Sequence, residues 1–459
     1  MTPWPHVLAA HGEVDVAAVL GRQRDRESSA RTYARAFPVV PVHAEGLRVT
    51  GADGRQYLDC LAGAGTLALG HNHPVVLAAI RRVLDSGAPL HALDISTPEK
   101  DDFTTALLDT LPPELARDCR VHFCGPAGTD AVEAALKLTR TATGRQNVFA
   151  FTGAYHGMTA GALAASAGLA VREPLADNGF NVTRLPFPYD YRCPFALGGT
   201  LAWQVGVNLV ESLLTDDHSG VLPPAAMILE AVQGEGGVVP APDPWLRELR
   251  RVTAEHGIPL IVDEVQTGVG RTGAYWAVQH SGVTPDVMVL SKAIGGSLPL
   301  AAIVYRADLD QWAPGAHTGT FRGNQLAMAA GAATLRHVTA EDLPARAAEL
   351  GTRLLRELRS LQARTRCIGE VRGRGLMLGL EIVDPDTAPD RRGTRPAAPA
   401  LAAAVREQCL RRGLILELGG RQDSVVRLLP PLVITDAEAD TVLNRLAEAV
   451  AAAEQGARR

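Results

Sequence analysis

Lys292 stands in Pro285-Asp-Val-Met-Val-Leu-Ser-Lys292-Ala-Ile-Gly-Gly296, just past the apolar run Val287–Leu290. Such a run predicts a short buried strand. A lysine at its end is costly there unless its amine is paired or chemically used. Used chemically, it is a nucleophile able to capture a carbonyl as a Schiff base. From this stretch alone it also reads as a surface lysine that merely ends a strand. The glycines that follow let another group approach the backbone closely. Two carboxylates share the situation of Lys292: Asp263 ends the apolar run 259–262, and Glu230 ends 225–229. Alone, Asp263 reads equally as a helix cap after a strand. Three polar residues ending three apolar strands form a pattern, because open α/β sheets gather ligands beyond the carboxyl ends of their strands.

This set suits pyridoxal phosphate (PLP) chemistry. PLP needs a lysine to hold its aldehyde, an acid for its pyridine nitrogen, an anchor for its phosphate and a wall against its ring. Lys292 is the candidate for the first role. Asp263 suits the second, since an opposite charge at close range favours the protonated ring nitrogen by roughly 1–3 pK units. Gln266, in Asp263-Glu-Val-Gln266, could bond the ring hydroxyl. Phe123-Cys-Gly-Pro-Ala-Gly128-Thr129 runs into a helix whose unpaired N–H groups and dipole favour a phosphate. Gly128 and Thr129 would supply backbone and hydroxyl donors, although a Gly-rich helix start is weak evidence by itself. Ala154-Tyr155-His156-Gly157 follows a strand and brings one of its rings to the ligand edge. Tyr155 is the candidate for stacking on the pyridine, a packed core aromatic being the alternative, and His156 belongs to the same cofactor set.

Positioning these residues requires a sheet. Between 121 and 306, strand-like runs at 121–124, 148–151, 225–230, 259–263, 287–290 and 300–305 alternate with helical stretches, including one after Gly128 and one over 244–256. That alternation predicts an α/β fold with a mainly parallel central sheet flanked by helices. The large domain is expected over 86–335, closing with an Ala-rich helix over 324–338. A small α+β domain is expected over 336–459. It has a strand at 375–381, an exposed insertion at 384–399, a helix at 401–412, strands at 414–418 and 425–429, and a helix at 436–453. Residues 1–85 read as an N-terminal arm and small-domain segment. They show no strand pattern before 45, a short helix over 12–21, a hairpin over 47–59, a Gly-rich loop at 61–74 and a helix over 75–84.

Composition excludes several classes. Net charge is −5 over 459 residues with no long basic run, which argues against nucleic acid or an anionic membrane surface. No apolar stretch is long enough to span a bilayer, and Met1-Thr-Pro-Trp-Pro-His lacks the regions of a signal peptide. The six cysteines are scattered without CxxC spacing. They fit free thiols in a reducing cytosol better than disulfides or a metal site, so a cytoplasmic location and no metal are expected.

Together the motifs are far more specific than any one. Glu230-x-x-Gln233-Gly-Glu235-Gly-Gly and the Gly128-Thr129 helix start precede Asp263-x-x-Gln266 and Ser291-Lys292-x-x-Gly295-Gly296. His317-Thr-Gly-Thr320-Phe-Arg-Gly-Asn324 follows. From about residue 31 to about residue 433 the chain resembles the class III (ω-amino acid) aminotransferases of PLP fold type I. The resemblance implies that Lys292 is the Schiff-base lysine and proton shuttle, Asp263 the pyridinium partner and Gln266 the ring-hydroxyl contact. It implies that Gly128 and Thr129 belong to the phosphate cup, that Tyr155 stacks on the ring, and that Glu230 lies beside the cofactor. Thr320 would reach the phosphate of a neighbouring subunit, which implies a homodimer with shared active sites. Glu235 would mask Arg427, in Val425-Val-Arg427-Leu, whose fork matches a substrate carboxylate in two-point geometry. An amine reacting at its far end need not use Arg427, whereas 2-oxoglutarate does.

Within the family, four stretches are similar to diaminobutyrate–2-oxoglutarate aminotransferases. They are Glu27-Ser-Ser-Ala-Arg31-Thr-Tyr33, the run from Leu58 to Thr66, Phe123-Cys-Gly-Pro, and the run from Gly315 to Asn324. There is one departure. Ornithine-type relatives carry a carboxylate-binding arginine after Tyr-His-Gly, where this chain has Met158. Ornithine is thereby a poorer candidate, and Tyr33 and Arg184 become candidates for the diamine's carboxylate. The implied reaction moves the terminal amino group between L-2,4-diaminobutyrate and 2-oxoglutarate, giving L-aspartate 4-semialdehyde and L-glutamate, with diaminobutyrate the expected product in the cell. The alternatives are another ω-aminotransferase, acting on 4-aminobutyrate, lysine or acetylornithine, and a racemase or aminomutase of the same fold.

Overall fold

Residues 14–173 and 179–457 are described by the computed structural model of this chain. The expectation about residues 1–13 lies outside them, and the short N-terminal helix is found as Val16–Arg26, capped by the Asp15 side chain on the Ala18 N–H. Strands β1 (Pro41–Glu45), β2 (Arg48–Gly51) and β3 (Gln56–Asp59) form an antiparallel ladder. β1 corrects the expected absence of a strand before residue 45. None of its residues is fully buried, so Pro-Val-His-Ala-Glu needs no apolar alternation.

The central sheet comprises β4 (Cys119–Phe123), β5 (Asn147–Phe151), β6 (Val182–Leu185), β7 (Pro224–Leu229), β10 (Leu260–Asp263), β11 (Val287–Leu290) and β12 (Ala302–Arg306). A two-stranded ribbon, β8 (Val232–Gln233) with β9 (Val239–Pro240), follows β7. The sheet order is β4-β12-β11-β10-β7-β5-β6. All neighbours are parallel except at β12, which is antiparallel to both β11 and β4. Every residue of β5, β7, β10 and β11 is buried, because helices cover both faces. Helix Gly128–Thr143 packs Ala131, Val132, Ala135 and Leu138 onto Val148, Ile228, Ile261 and Val289 on one face. The alternate residues Phe149, Met227, Leu229, Val262 and Met288 form the other face's core with residues of helices Asp243–Glu255 and Gln325–Ala340. Each such large side chain contributes about 1.5–3 kcal/mol of burial.

After helix Leu343–Arg364 come β13 (Ile368–Arg374), β14 (Met377–Ile382), helix Pro399–Arg411, β15 (Leu414–Ile415), β16 (Glu417–Gly419), β17 (Val425–Leu428) and helix Asp436–Ala457. The single strand expected over 414–418 is corrected to two. Leu414–Ile415 pairs in parallel with β3, whereas Glu417–Gly419 pairs antiparallel with β17 in a sheet ordered β13-β14-β17-β16. The buried Leu416 marks the crossing from one sheet to the other. The two ends of the chain therefore share structure, and the later sheet delivers Glu417 and Arg427 to one place.

The glycines after Lys292 serve a packing contact. At Gly296 (φ +57°) a Cβ would lie 2.4 Å from the Ala330 carbonyl oxygen, and at Gly331 one would lie 2.1 Å from that of Ile294. The close approach expected from the sequence is made by helix Gln325–Ala340, which is pressed against the turn that carries Lys292.

Candidate active site

A cavity of about 640 Å³ opens at the carboxyl ends of β5, β7, β10 and β11 and is closed from the other side by β16. Gly128, Thr129, Tyr155, His156, Glu230, Glu235, Asp263, Gln266, Lys292 and Tyr33 all line it. Thr320 is exposed and lies outside it. Arg427 is fully buried just behind Glu235. Arg184 is also outside, its guanidinium donating to the carbonyls of Ala164 (2.7 Å) and Ala165 (3.1 Å), which removes it as a candidate for a substrate carboxylate.

Lys292 begins the turn Lys292–Gly295 with φ +52°, a left-handed backbone that costs a non-glycine residue on the order of 1–2 kcal/mol. The packed helix behind it holds that conformation. Burial pulls the Lys292 amine below the ordinary lysine range, and the charges of Glu235 and Asp263 only partly oppose this.

Asp263 is buried and doubly held. Its Oδ2 lies 2.8 Å from His156 Nδ1, and its Oδ1 accepts the Val265 N–H at 3.0 Å. The His156 backbone N–H donates in turn to Ser166 Oγ at 2.8 Å. The sequence reading missed this pairing: nothing local marks His156 as the orienting partner of a residue 107 positions away. Glu230 sits beside the pair with Oε2 unpartnered. Burial, and then the charges of Asp263 and Glu235, push its carboxyl well above the usual range. A protonated Glu230 can donate a hydrogen bond into the cavity.

Gln266 is fixed by its amide, whose Nε2 donates to the Ala64 carbonyl at 3.2 Å and to Glu235 Oε1 at 3.4 Å. Its Oε1 is buried without a partner, over Gly234, where a Cβ would lie only 1.8 Å away. At the helix start Gly128 packs tightly on Val265, where a Cβ would sit 3.0 Å from Cγ1 and 3.2 Å from Cγ2. The Thr129 hydroxyl shares a hydrogen with Thr159 Oγ1 at 2.6 Å and accepts the Thr159 N–H at 3.2 Å. In the first helical turn the Asp130 N–H donates to the Ala127 carbonyl at 3.0 Å, which leaves the Gly128 and Thr129 N–H groups to face an anion more simply than that hydroxyl does. Gly157 (φ +134°) lets the loop carrying Tyr155 and His156 cross this point, where a Cβ would be 2.3 Å from Thr129 Oγ1.

On the opposite wall, Arg427 makes a two-point fork to Glu235, with Nη1 to Oε1 and Nη2 to Oε2 both at 2.8 Å. Register places Glu417 of β16 directly across from Arg427, and Glu417 Oε2 lies 2.6 Å from Arg427 Nη2. Burial raises the Glu235 carboxyl, but Arg427 and Lys292 outweigh it and hold Glu235 below the usual range. For Glu417 burial wins over Arg427, so its pKa is raised. Burial and then the Glu417 charge push the Tyr33 hydroxyl up. Glu417, Arg406, Asp423 and Phe37 also line the cavity and were not found from sequence. Glu417 had one available signal: a carboxylate two residues before Gly419-Gly420, where the chain turns back toward Arg427.

The model of the family described as aminotransferase class-III matches residues 29–450. The chain belongs to the class-III aminotransferases. Among curated members of this family, a Rhizobium meliloti protein named diaminobutyrate–2-oxoglutarate aminotransferase is 55% identical over 96% of this chain and 94% of its own length. A Haemophilus influenzae protein of the same name is 47% identical over 98% of this chain and 97% of its own. Among solved structures, a PLP-bound amine transaminase from an uncultivated Pseudomonas species superimposes with a TM-score of 0.82 at 31% identity, covering 93% of this chain and 98% of that one. The class-III aminotransferase chain thus has the α/β architecture of PLP fold type I, and among its described residues no helix is long and apolar enough to cross a membrane.

Proposed function

We propose that the chain transfers the terminal amino group between L-2,4-diaminobutyrate and 2-oxoglutarate, with PLP as cofactor, yielding L-aspartate 4-semialdehyde and L-glutamate. The observation that carries this reading is the Arg427–Glu235 fork in the wall of the cavity that holds Lys292. Two curated relatives bear the name of this activity over nearly their whole length.

The residues present fit PLP. Unpartnered Gln266 Oε1 and Glu230 Oε2 offer two buried polar atoms beside a helix start that favours a phosphate. Lys292 would hold the aldehyde, Asp263 the ring nitrogen, Gln266 the ring hydroxyl, Gly128 and Thr129 the phosphate, and Tyr155 one ring face. When bound, PLP supplies an aldehyde to carry the amino group and a ring to receive the electron pair released at the substrate carbon.

The chain's own contributions follow from geometry. His156 Nδ1 and the Val265 N–H fix the Asp263 carboxylate in place, with each of its oxygens held. Lys292 Nζ, with its pKa lowered by burial, can exist as a neutral amine and carry a proton away from the substrate carbon. In the diamine half, the terminal C–N bond is broken and Glu235 stays on Arg427. In the other half, a carboxylate of 2-oxoglutarate replaces Glu235 on the guanidinium, which suits an arginine already preorganised for two-point binding. Thr320 is exposed and outside its own cavity, which supports a homodimer in which it serves the neighbouring site.

The test is a coupled assay on purified protein that follows glutamate formed from 2-oxoglutarate with diaminobutyrate, ornithine, 4-aminobutyrate or lysine. A clear preference for diaminobutyrate is expected. Faster glutamate formation from another of these amines sinks the substrate assignment, and no glutamate from any of them sinks the transaminase reading.

A further inference from the structure

Reaction at the terminal amine of diaminobutyrate leaves an α-amino-acid head, one carboxylate and one ammonium, pointing away from Lys292. Nothing assigned so far receives it. Met158 carries no charge and is half exposed. Arg184 lies outside the cavity, and Arg427 is already neutralised by Glu235 and Glu417. Of the cavity-lining cations among the described residues, only Arg406 remains besides Lys292. It is partly buried on helix Pro399–Arg411, and among the described residues it forms no ion pair. Helix Pro399–Arg411 packs against β16, the strand that carries Glu417.

Glu417 is the matching acceptor. Its side chain is 15% exposed, and its Oε2 touches Arg427 Nη2 at 2.6 Å without hydrogen-bond alignment, since that guanidinium is aligned on Glu235. Tyr33 hydrogen-bonds to Glu417 from the helical turn Tyr33–Ala36. The other carboxylates on the wall are less suitable. Glu230 and Asp263 lie deep at the sheet end, Glu235 is committed to Arg427, and Asp423 is exposed, where solvent weakens an ion pair.

We infer that Arg406 and Glu417 form the subsite for the α-amino-acid head of the diamine, Arg406 taking its carboxylate and Glu417, supported by Tyr33, taking its α-ammonium. This rests on the terminal-amine reading above and adds the selection step. A diamine with both groups satisfies both residues, whereas an amine lacking the carboxylate leaves Arg406 without its partner and one lacking the α-ammonium leaves Glu417 without its donor, which is how polar sites discriminate most strongly.

Three amines share the reacting end and differ only in the head: L-2,4-diaminobutyrate, 4-aminobutyrate without the α-ammonium, and 1,3-diaminopropane without the carboxylate. The experiment measures kcat/KM for each with the holoenzyme and its Glu417→Gln and Arg406→Gln variants, together with kcat/KM for 2-oxoglutarate. Glu417→Gln should lower the diaminobutyrate-to-4-aminobutyrate ratio by roughly 10–100-fold. Arg406→Gln should lower the diaminobutyrate-to-diaminopropane ratio by a similar factor, and Arg406→Lys should recover part of it. Ratios that stay constant, because all three amines fall together or none does, overturn the inference. A parallel fall in 2-oxoglutarate kcat/KM in that case would assign Glu417 to supporting Arg427. A wild-type enzyme that forms no glutamate from any of the three amines fails the reading of the reaction itself, a result independent of either variant.

Discussion

Replacing Glu235 with glutamine separates two things that the fork holds together, the stability of a buried guanidinium and access to it. Arg427 is fully buried, with Glu235 oxygens 2.8 Å from both terminal nitrogens and Glu417 Oε2 2.6 Å from one of them. Removing one partner of a buried ion pair costs about 3–5 kcal/mol when the charge is left alone. Here Glu417 stays, the glutamine carbonyl can accept one of the two N–H bonds, and the Glu235 side chain is 32% exposed. The expected loss of folding stability is therefore about 1–3 kcal/mol, close to one charged hydrogen bond. The same change removes the carboxylate that 2-oxoglutarate must displace. If about 1.4 kcal/mol of that interaction no longer opposes binding, KM for 2-oxoglutarate falls about tenfold. An amine that reacts at its far end gains nothing, so its kcat/KM should hold steady or fall. Steady-state kinetics with each substrate varied, beside denaturant unfolding of the same samples, gives both numbers. A Glu235→Gln protein that is folded and cofactor-loaded, but whose 2-oxoglutarate KM rises, refutes the gating role of the fork.

Three further outcomes follow from the site. Asp263→Asn keeps the size of the side chain but removes the charge that His156 and Val265 hold in place, and kcat should drop by roughly 10²–10⁴-fold in the glutamate assay. Because burial holds the Lys292 amine below the ordinary lysine range, and the amine is nucleophilic only above its pKa, the reactive range extends downward. The rate at which apoprotein captures PLP should then level off at a pH below the ~10.4 of a free lysine, and a rate still climbing through that value would contradict the lowered pKa. Gly331→Ala gains up to about 1 kcal/mol of helix propensity but drives a methyl group into the Ile294 carbonyl and the Phe103 ring. A net loss of about 1–2 kcal/mol is expected in denaturant unfolding, and a stabilised variant would show that the helix has room to move off the Lys292 turn.

What was legible in the sequence was what burial writes plainly. β7, β10 and β11 are buried on both faces, so they read as continuous apolar runs, and the polar residue at each carboxyl end stood out. β1 and β6 are only partly buried, and Pro41-Val-His-Ala-Glu45 and Val182-Thr-Arg-Leu185 carry no such signature. Leu414-Ile-Leu-Glu-Leu418 reads as one strand because no glycine or proline marks the break, and only the two pairing registers reveal it. That break matters for function, since it turns Glu417 toward Arg427 and the cavity. Gly296 was correctly read as a site of close approach, but the approaching group is a helix, while Gly295 packs against Leu300. A pairing across a long sequence separation, such as His156 with Asp263, depends on topology and has no local pattern to announce it.

The central claim, that the terminal rather than the α nitrogen is transferred, is tested most directly by isotope. Diaminobutyrate labelled with nitrogen-15 only at its terminal amine, and a second sample labelled only at its α-amine, would each be incubated with the enzyme and 2-oxoglutarate, and the glutamate examined by NMR. Labelled glutamate is expected from the first sample and unlabelled glutamate from the second. Label arriving from the α-amine would place the amino-acid head at Lys292 and contradict both the reaction and the subsite built on it.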